Sequence, residues 1–582
     1  MKQEKQLEPI RHSLSHLMAM AVLKKIPQAK LAIGPVIADG FYYDFDLPAE
    51  AKITEADFPK IEKEMKKMIQ GNLKFKKFDL PKKEALKKAN GPYKKELVND
   101  LPKGEKITFY ESGDFTDLCA GPHVKFTKEI NPDAFKLTKI AGAYWRGDEK
   151  NKMLTRVYGV AFEAKRELDE YLKMMMEAEK RDHRKLGKEL GLFIIDPLAG
   201  SGLPLFLPKG AILRDQLMKY LQEEQTKRGY QYVTTPHIGR LDLYKTSGHY
   251  PYYKDSQYPP FKIDKEEFLL KPMNCPHHIL IYKANKHSYK ELPIRLAECG
   301  MVYRYEKSGE LTGLVRVRGF TIDDAHIFAT EQQIASEFLK VTDLVMTIFK
   351  VLNFTDYRVR IGTKEPKSKK YVGDDKIWQK AEKIIIEAVK DKFKYTIEQG
   401  DAAFYGPKLD FVVKDVLGRE WQLGTVQLDF NLPERFNLTY TDNQGKNKQP
   451  VIIHRAPFGS LERFIGILIE HFAGAFPLWL SPVQIKIVSV GSDHKKHCEK
   501  LADRFRRQNL RIETDLTNET VGNKIRKAVN EKIPYILVIG DKEVESGKLT
   551  VRVRGQEKLL EIAYDKFAEH VEALIAKKSL NL

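Results

Sequence analysis

The sequence contains few cysteines and no long apolar segment. Four cysteines in 582 residues are too few for the disulfide framework that holds small secreted domains together. No Cys-x-x-Cys pair occurs, which excludes a zinc ribbon and a thioredoxin-type redox motif. The longest apolar run is far shorter than the roughly 18–20 residues that cross a bilayer, and the N-terminus lacks the apolar core of a signal peptide. We therefore expect a cytoplasmic protein without a membrane partner.

Internal repeats and low-complexity tracts are also missing, which favours ordinary globular domains. A chain of 582 residues predicts three to five domains at roughly 100–200 residues each. Lysine and arginine number 99 against 80 aspartates and glutamates, which gives a net charge of +19. This excess indicates a polyanionic partner, with nucleic acid as the first candidate, although a lysine-biased proteome with solvated faces would produce it equally well.

Two changes of pattern along the chain predict domain boundaries. Apolar residues at helical spacing over 162–186 predict one long helix that ends by Gly187, so we place the first boundary near residue 185. Strand patterns dominate 262–430. Beyond the prolines at 477 and 482, strands alternate with helices, which predicts a small, mostly parallel α/β domain. The second boundary is therefore expected near residue 481.

Three histidines and one cysteine form the first candidate site. His12 and His16 are four residues apart, which places both imidazoles on one face of a helix, and Cys119 and His123 follow much later in the chain. The group has the composition of a metal site. It could equally position a hydrolytic water, with histidine as the base. The alternative is two unrelated surface histidines and a buried cysteine that acts as a small hydrophobe.

The second candidate site is a strand–loop–strand segment rich in arginine. Arg304 and Glu306 occupy alternate positions of the first strand, and Arg316, Arg318 and Phe320 alternate on the second. Guanidinium groups suit phosphates and an aromatic ring suits a base, so this pattern indicates a nucleotide site. The alternative is a hairpin with a charged, solvated face.

A helix start forms the third candidate site. Gly459 and Ser460 open an apolar helix, and Arg463 lies in its first turn. A cation in that turn opposes the helix dipole. We therefore expect Arg463 to meet an anion there.

Taken together, these segments resemble the class II aminoacyl-tRNA synthetases. The helix over 208–229 and the strand that ends at Pro236 resemble motif 1, the dimerisation element. Residues 304–320 resemble motif 2, and residues 459–463 resemble motif 3.

Longer strings narrow the resemblance to the threonyl-tRNA synthetases. They occur in order over nearly the whole chain: KPMNCP (271–276), RVRGFTIDDAHIF (316–328), AFYGPKLDF (403–411), WQLGTVQLDF (421–430), IHRAPFGSLERF (453–464) and GDKEVESGK (540–548). Two upstream strings, DLCAGPHV (117–124) and AGAYWRGD (141–148), resemble the editing domain of that family.

The resemblance implies an α+β multidomain fold. We expect an α+β editing domain with a C-terminal linker helix over 1–185. A class II catalytic domain built on an antiparallel sheet would follow over 186–480, and an α/β anticodon-binding domain over 481–582. The implied activity joins L-threonine to threonine tRNA at the expense of ATP, through threonyl-adenylate, with hydrolytic editing of mischarged seryl-tRNA. The implied assembly is a homodimer.

A zinc site is implied by the same resemblance. Cys275, His326 and His454 match the family's ligands for one Zn²⁺ per subunit, and the threonine amino and hydroxyl groups would complete the coordination. Asp324 matches the acceptor of the threonine hydroxyl. Valine, which has a methyl in place of that hydroxyl, would be rejected.

Serine keeps both coordinating groups and differs from threonine by one methyl, worth only about 1–3 kcal/mol, so a second, hydrolytic site is needed. The residues that match this editing site are His12, His16, Lys94, Tyr110, Asp117, Cys119 and His123. In this context we expect a water-positioning site rather than a metal site.

Further roles are implied for ATP and tRNA. Arg304 would bind the threonine carboxylate and the ATP α-phosphate, Arg316 and Arg463 would hold the outer phosphates, and Phe320 would stack on adenine. The remaining matches are Glu306 and Gln422 for ATP or its Mg²⁺; Asp324, Tyr405, Lys408, Gln427 and Ser460 for threonine or the adenylate; His249 for the terminal adenosine of the tRNA; and Asn518, Arg526, Lys532, Glu543 and Arg552 for the anticodon.

Two departures from the family pattern are visible. The family's small ubiquitin-like module is expected to be absent, because the sequence reaches His12 almost at once. Position 322 is Ile where the family usually has Gln. Two rival interpretations are a prolyl or seryl synthetase and an RNA-binding protein on a synthetase scaffold. The zinc-ligand matches with an editing domain argue against the first, and intact Arg304 and Arg463 argue against the second.

Overall fold

The computed structural model describes residues 2–102, 104–366, 368, 370–415 and 418–582. The chain divides into two compact units, one up to Met176 and one from Glu177 onward. Within the described ranges, no helix is long and apolar enough to cross a membrane.

The first unit combines two antiparallel sheets with helices. Its helices are α1 (Lys2–Lys25), α2 (Phe58–Gln70), α3 (Lys82–Lys88) and α4 (Gly91–Asp100). Its strands are β1 (Lys30–Leu31), β2 (Val36–Ile37), β3 (Gly40–Asp46), β4 (Phe75–Leu80), β5 (Ile107–Ser112), β6 (Phe115–Leu118), β7 (Phe135–Tyr144) and β8 (Met153–Ala161). One sheet has the order β1-β3-β8-β7, with β2 beside β3, and the other has the order β4-β5-β6.

Helix α1 forms because its apolar residues recur at helical spacing. Leu14, Leu17, Met18 and Val22 make one stripe that is fully buried. This stripe packs into a core that includes Phe41 of the larger sheet. The same helix carries His12 and His16 and so presents them from a rigid element.

The second unit begins within α5 (Lys165–Arg181), and its larger part is built on an eight-stranded sheet. Its further helices are α6 (His183–Glu189), α7 (Pro208–Lys227), α8 (Leu241–Ser247), α9 (His249–Tyr252), α10 (Cys275–Lys283), α11 (Ile334–Val351), α12 (Asp375–Val389), α13 (Asn431–Arg435) and α14 (Leu461–His471). Its strands are β9 (Phe193–Ile194), β10 (Leu205–Phe206), β11 (Gln231–Tyr232), β12 (Ile238–Arg240), β13 (Phe261–Ile263), β14 (Glu266–Leu270), β15 (Ile294–Tyr303), β16 (Gly319–Ala329), β17 (Tyr357–Thr363), β18 (Tyr395–Gln399), β19 (Lys408–Lys414), β20 (Glu420–Asp429), β21 (Tyr440–Thr441), β22 (Asn447–Lys448) and β23 (Val451–Ala456).

The eight-stranded sheet has the order β11-β15-β16-β23-β20-β19-β17-β18. Its inner pairs are antiparallel, and only the outermost pairs, β11 with β15 and β17 with β18, are parallel. Apolar residues of α11 and α14 are buried in one core with residues of this sheet, such as Ile327 and Val426. The polar residues that alternate with them in sequence therefore share the opposite face.

The C-terminal part of the second unit has a mixed sheet. Its helices are α15 (Lys495–Arg506), α16 (Val521–Asn530), α17 (Asp541–Ser546) and α18 (Tyr564–Ala576), and its strands are β24 (Ile485–Ser489), β25 (Ile512–Asp515), β26 (Tyr535–Ile539), β27 (Lys548–Val553) and β28 (Leu560–Ala563). The order is β25-β24-β26-β27-β28, with two parallel and two antiparallel pairings. The expectation of a mostly parallel sheet was wrong, because the hairpin β27–β28 adds two antiparallel strands.

The long helix expected over 162–186 is also different in the structure. It is two helices, α5 and α6, separated at Asp182. The Asp182 carboxylate accepts a hydrogen bond from the Arg184 backbone N–H at 2.8 Å, so it caps a new helix start. Apolar periodicity alone does not reveal such a cap. The predicted α+β fold class is confirmed.

Candidate functional site

An open cavity of about 330 Å³ lies at the polar side of the eight-stranded sheet. It gathers residues from strands β16, β20 and β23, from the loop between β15 and β16, and from the start of α14. The predicted residues that line it are Cys275, Arg304, Glu306, Arg316, Phe320, Asp324, Tyr405, Gln422, Gln427, His454, Ser460 and Arg463. Ile322 also lines it.

Contrary to the prediction, the arginines of the second candidate site do not lie on the two strands but in the loop that connects them. Strand β15 ends at Tyr303 and β16 begins at Gly319. The Arg304 guanidinium lies 5.2 Å from the centre of the Phe320 ring. Arg318 is not in the cavity wall, because its Nε donates to the Glu306 carbonyl and its guanidinium covers the Tyr305 ring. The period-two alternation of strand side chains therefore does not apply to these arginines, because the chain leaves the sheet there.

Four arginines, Arg304, Arg316, Arg455 and Arg463, line the cavity. Burial, together with the nearby Arg304 and Arg316, lowers the pKa of the Arg463 guanidinium. The Arg316 guanidinium pairs with the Glu306 carboxylate at 2.8 Å. Ser460 caps α14 by accepting from the Arg463 N–H at 3.2 Å. Guanidinium groups that converge in this way suit a polyphosphate, since each offers a planar set of donors.

The predicted zinc ligands come together beside the cavity. One ligand atom from each of Cys275, His326 and His454 lies within 4.8 Å of the others, and all three residues are buried. Burial raises the pKa of the Cys275 thiol and lowers that of the His326 imidazole. In the part of the chain that the structure describes, His326 Nε2 is buried without a hydrogen-bond partner. A buried lone pair beside a thiol and a second imidazole fits Zn²⁺.

A hydrogen-bonded chain behind His326 explains why that lone pair is available. His326 Nδ1 lies 2.8 Å from His278 Nδ1, and His278 Nε2 lies 3.2 Å from a Glu298 carboxylate oxygen. A carboxylate only accepts, so His278 carries its proton on Nε2 and accepts at Nδ1 from His326. The Nε2 of His326 is then unprotonated and can bind a metal. Sequence reasoning missed His278, although the repeated histidine in CPHH could have indicated it.

Several predicted threonine contacts surround the same cluster. The Asn274 side chain donates to Asp324 Oδ2 at 3.2 Å, and burial raises the pKa of the Asp324 carboxyl. The Tyr405 hydroxyl donates to the Gln427 carbonyl oxygen. His454 Nε2 lies 2.9 Å from the carboxylate of Asp429. These contacts hold the polar groups in place beside the ligand cluster.

Like His326, two further predicted residues do not line the cavity. The Lys408 ammonium forms ion pairs with Asp410 at 2.8 Å and Asp401 at 3.1 Å. His249 is fully buried, its Nδ1 lies 2.8 Å from the Ser247 hydroxyl, and burial lowers its pKa to about 3. Its imidazole is therefore neutral.

Gln422, a predicted ATP contact, is held by a network that sequence reasoning missed. Its amide nitrogen donates to Asp410 at 2.7 Å, and its carbonyl oxygen accepts from Arg360 at 3.1 Å. Asp410 is completely buried and also accepts from Thr425. Since both ends of the amide are engaged, its orientation in the cavity wall is fixed.

The first candidate site assembles in the first unit. Cys119 Sγ lies 3.1 Å from His12 Nε2 and 3.2 Å from His123 Nε2. The rings of His16 and His123 are 4.4 Å apart, and the Tyr110 ring lies 4.5 Å from that of His123. The histidines and the cysteine also satisfy the spacing of a metal site. The geometry is therefore compatible both with a metal site and with a site that positions a hydrolytic water.

The electrostatics of this site are those of neutral side chains around one ion pair. Burial lowers the pKa of His12, of His16 and of His123, and raises that of Cys119 to about 11. A neutral imidazole can accept a proton from water.

The ion pair of this site joins the Lys94 ammonium to Asp117 at 2.8 Å. Tyr43, which sequence reasoning missed, donates its hydroxyl to Asp117 Oδ2 at 2.5 Å. A strand pattern alone could not distinguish Tyr43 from its core neighbours.

The predicted anticodon residues do not all share one end of the C-terminal sheet. Asn518 follows strand β25 and Glu543 follows β26, both at the carboxyl ends of parallel strands. Arg526 lies on α16, and Arg552 lies on β27 opposite Ile536. Lys532 precedes β26 at the other end, where it lines a small cavity together with Leu190 and Gly474.

Comparison with protein families gives three matches. The description "tRNA synthetase class II core domain (G, H, P, S and T)" matches residues 260–472. "Anticodon binding domain" matches residues 484–574, and "Threonyl and Alanyl tRNA synthetase second additional domain" matches residues 107–158. These matches agree with the class II core, anticodon-binding and editing-type domains expected from the motifs.

Curated relatives and solved structures agree with these matches. A threonine–tRNA ligase of Thermus thermophilus is 56% identical over 562 residues, which are 94% of this chain and 85% of the relative. One of Deinococcus radiodurans is 54% identical and covers 98% of this chain and 88% of the relative. The crystal structure of the RNA binding domain of threonyl-tRNA synthetase from Cryptosporidium parvum Iowa II is 38% identical, with a TM-score of 0.65, over 69% of this chain and 99% of that one. The chain therefore belongs to the threonyl-tRNA synthetases, a family of class II aminoacyl-tRNA synthetases.

Proposed function

We propose that the chain activates threonine with ATP and transfers the threonyl group to the 3′ end of threonine tRNA. The observation that carries this proposal is the meeting of two features in one cavity. Phosphate-binding groups, Arg304, Arg316 and Arg463, line the same space as the ligand cluster that contains Cys275 and His454. A polyphosphate and an amino acid can therefore be held side by side.

In the activation step, the threonine carboxylate attacks the α-phosphorus of ATP and pyrophosphate leaves. Arg304 binds the carboxylate and the α-phosphate and stabilises the charge that develops between them. Arg316 and Arg463 hold the outer phosphates in line, and Phe320 provides a face for adenine. Glu306, ion-paired to Arg316, contacts ATP or its Mg²⁺, as does Gln422. Positioning and electrostatics supply the catalysis, with no covalent bond to the protein.

Cys275, His326 and His454 fit one Zn²⁺ per subunit, because a free buried lone pair on His326 adjoins the thiol and the second imidazole. The ion would act as a Lewis acid that takes the amino and hydroxyl groups of threonine as further ligands. The Asp324 carboxylate accepts a hydrogen bond from the threonine hydroxyl. Tyr405, Gln427 and Ser460 shape the rest of the amino-acid pocket. Lys408 acts indirectly, by balancing the charge of Asp410.

For transfer, His249 is proposed to contact the ribose of the terminal adenosine as a neutral imidazole once the side chains that cover it move aside. Its Nε2 is buried without a partner among the described residues, so it is free to pair with a ribose hydroxyl. The anticodon-facing residues are proposed to be Asn518, Arg526, Glu543 and Arg552, with Lys532 apart from them. The homodimer, the cytoplasmic location and the domain ranges 1–185, 186–480 and 481–582 belong to the same proposal.

The cluster of the first unit is proposed to hydrolyse seryl-tRNA. A water held between the neutral imidazoles of His12, His16 and His123 attacks the ester carbonyl while an imidazole takes its proton. The ester C–O bond then breaks, and the ribose hydroxyl of the tRNA leaves with the proton that the imidazole returns. Cys119 lies against His12 and His123 and limits the space beside the seryl side chain. Lys94 and Asp117, which form an ion pair, are available to the amino and hydroxyl groups of the ester.

The experiment that tests the main proposal is amino-acid-dependent exchange of pyrophosphate into ATP. Threonine should support exchange far better than proline or serine. Exchange that depends on proline alone would overturn the assignment. The Arg463→Ala variant should lose exchange with every amino acid, because it removes an outer-phosphate contact.

A further inference from the structure

We infer that His183 is a positioning residue for ATP binding: it fixes the tip of the loop between β15 and β16 that carries Arg316. This inference rests on the proposed role of Arg316 and Arg463 in holding the phosphates of ATP. His183 is the first residue of α6 and lies outside the cavity, with 3% of its surface exposed.

The loop tip contacts the imidazole directly. The backbone N–H of Leu314, itself fully buried, donates to His183 Nε2 at 3.1 Å. Its neighbour Gly313 has a φ of +49°, and a Cβ at that position would lie 2.1 Å from His183 Nε2. The tip of the loop therefore lies so close to the imidazole that only glycine fits at position 313.

The other side of the imidazole is anchored to α14. His183 Nδ1 lies 2.7 Å from Glu470 Oε1, and the second carboxylate oxygen of Glu470 is paired with Arg419. Because Leu314 N–H is a donor, Nε2 must accept, so Nδ1 carries the proton and donates to the carboxylate. One neutral tautomer satisfies both contacts.

Helix α14 holds the same loop at a second point. Arg463 Nε donates to the Val315 carbonyl at 3.0 Å, and Glu470 follows Arg463 by two helical turns on the same side of the helix. Gly466 lies between them, where a Cβ would be only 3.2 Å from Val315 and 3.3 Å from Leu314. The loop tip is thus fixed by its N–H through His183 and by its carbonyl through Arg463.

This arrangement sets where Arg316 can reach. The tip is a tight turn in which Thr312 and Arg316 pair through their backbones, at 3.2 and 3.3 Å. Val315 and Arg316 line the cavity. A shift of Leu314 therefore moves the Arg316 guanidinium relative to Arg463, and phosphate binding is sensitive to such displacements.

Asp182, His183 and Glu470 also have the spacing of a metal site. Their lone pairs are already taken, however: Leu314 N–H donates to His183, Arg419 pairs with Glu470, and Arg184 pairs with Asp182. Since each of these groups already has a partner within the chain, we assign a positioning role and no metal.

Two amide variants separate the contacts. In His183→Asn, the amide nitrogen takes the place of Nδ1 and keeps the Glu470 contact, but Leu314 N–H loses its acceptor. In His183→Gln, the amide oxygen reaches the place of Nε2 and keeps the Leu314 contact. We expect His183→Asn to raise the KM for ATP in pyrophosphate exchange about tenfold, the effect of one lost buried hydrogen bond, with little change in the KM for threonine.

His183→Gln should remain within about twofold of wild type for both substrates, since it keeps the acceptor for the loop. Equal KM values for ATP in the two variants, or a parallel rise in the KM for threonine, would overturn the inference. If Arg463→Ala kept pyrophosphate exchange with the wild-type KM for ATP, the proposed phosphate site would be wrong instead. The two failures are therefore distinguishable. If neither variant folds, hydrogen exchange of the wild type decides: a peptide through Leu314 should be protected, and exchange as fast as in the exposed residues 308–310 would contradict the anchor.

Discussion

His326 and His454 lie directly opposite each other on the antiparallel strands β16 and β23, with ring centres 4.7 Å apart. The same row of the sheet continues from His454 to Gln427 and from Gln427 to Lys408. Directly opposed residues share a face of the sheet. One row of strand pairing therefore aligns residues that are far apart in sequence, and it places two imidazoles near Cys275.

Replacing Cys275 with Ser should remove bound zinc. The variant loses the thiolate, so the site keeps only two nitrogen ligands. Metal analysis of the purified protein should give about one zinc per chain for wild type and almost none for Cys275→Ser. The matched control is Cys498→Ser, since Cys498 is equally buried but lies in the core of the C-terminal sheet. Full zinc content in Cys275→Ser would show that the ligand assignment is wrong.

Replacing His278 should weaken zinc binding without removing a ligand. In His278→Phe, His326 Nδ1 loses the acceptor that fixes its proton, so the metal-binding tautomer is no longer enforced. We expect the affinity for zinc, measured by competition with a chelator, to fall about 10–100-fold. His277→Gln is the control, because the neighbouring His277 is also buried and its ring packs against Tyr244. Unchanged affinity in His278→Phe would argue against the hydrogen-bonded chain.

Removing two imidazoles from the first unit should abolish editing and leave the activation of threonine unchanged. We expect His12→Ala with His16→Ala to slow hydrolysis of seryl-tRNA by at least about 100-fold, since the general base is lost. Threonine-dependent pyrophosphate exchange should be unchanged, because the cavity of the second unit is untouched. The control is His570→Ala, an exposed histidine on α18. Undiminished serine clearance would place editing elsewhere, and a second zinc in wild type that this double variant loses would favour the metal alternative.

Acid should destabilise the fold through His249. Burial lowers the pKa of His249 from 6.5 to about 3, so below pH 6.5 the unfolded chain binds a proton that the folded chain does not. The contribution of His249 to the free energy of unfolding is therefore fully present above pH 6.5. It falls by about 1.4 kcal/mol per pH unit between pH 6.5 and 3. His249→Gln lacks this titration. The melting temperature of wild type should drop more than that of the variant between pH 7.5 and 5, and parallel curves would contradict the buried neutral state.

Much of the fold was predictable because local patterns agree with it. The stripe of apolar residues on α1 and the alternation in strand β27 follow directly from side-chain periodicity. The failures have local causes. The Asp182 cap divided a helix that periodicity joined, and the loop after Tyr303 took Arg304 and Glu306 off the strand. Caps and strand ends depend on backbone hydrogen bonds that apolar patterns do not record.

The candidate sites were predictable to a different degree. The His12 and His16 pair was visible from spacing, because both lie on one helix. Cys275, His326 and His454 were reached only through a family resemblance, since no spacing rule joins a helix start to two separate strands. The supporting residues Tyr43, His278 and Asp410 were missed, because a buried polar side chain in a strand or a helix resembles a core position until its partner is known.

The sequence by itself determined the family, the reaction class expected of it, the basic charge and most helices and strands, because these depend on motif identity and local periodicity. The tertiary structure decided which atoms meet. The register of β16, β23 and β20 brought the imidazoles and the amide of Gln427 into one row, and burial lowered the pKa of the His326 imidazole. It also showed His183 holding the loop that carries Arg316, since hydrogen bonds between distant segments exist only once the chain is packed.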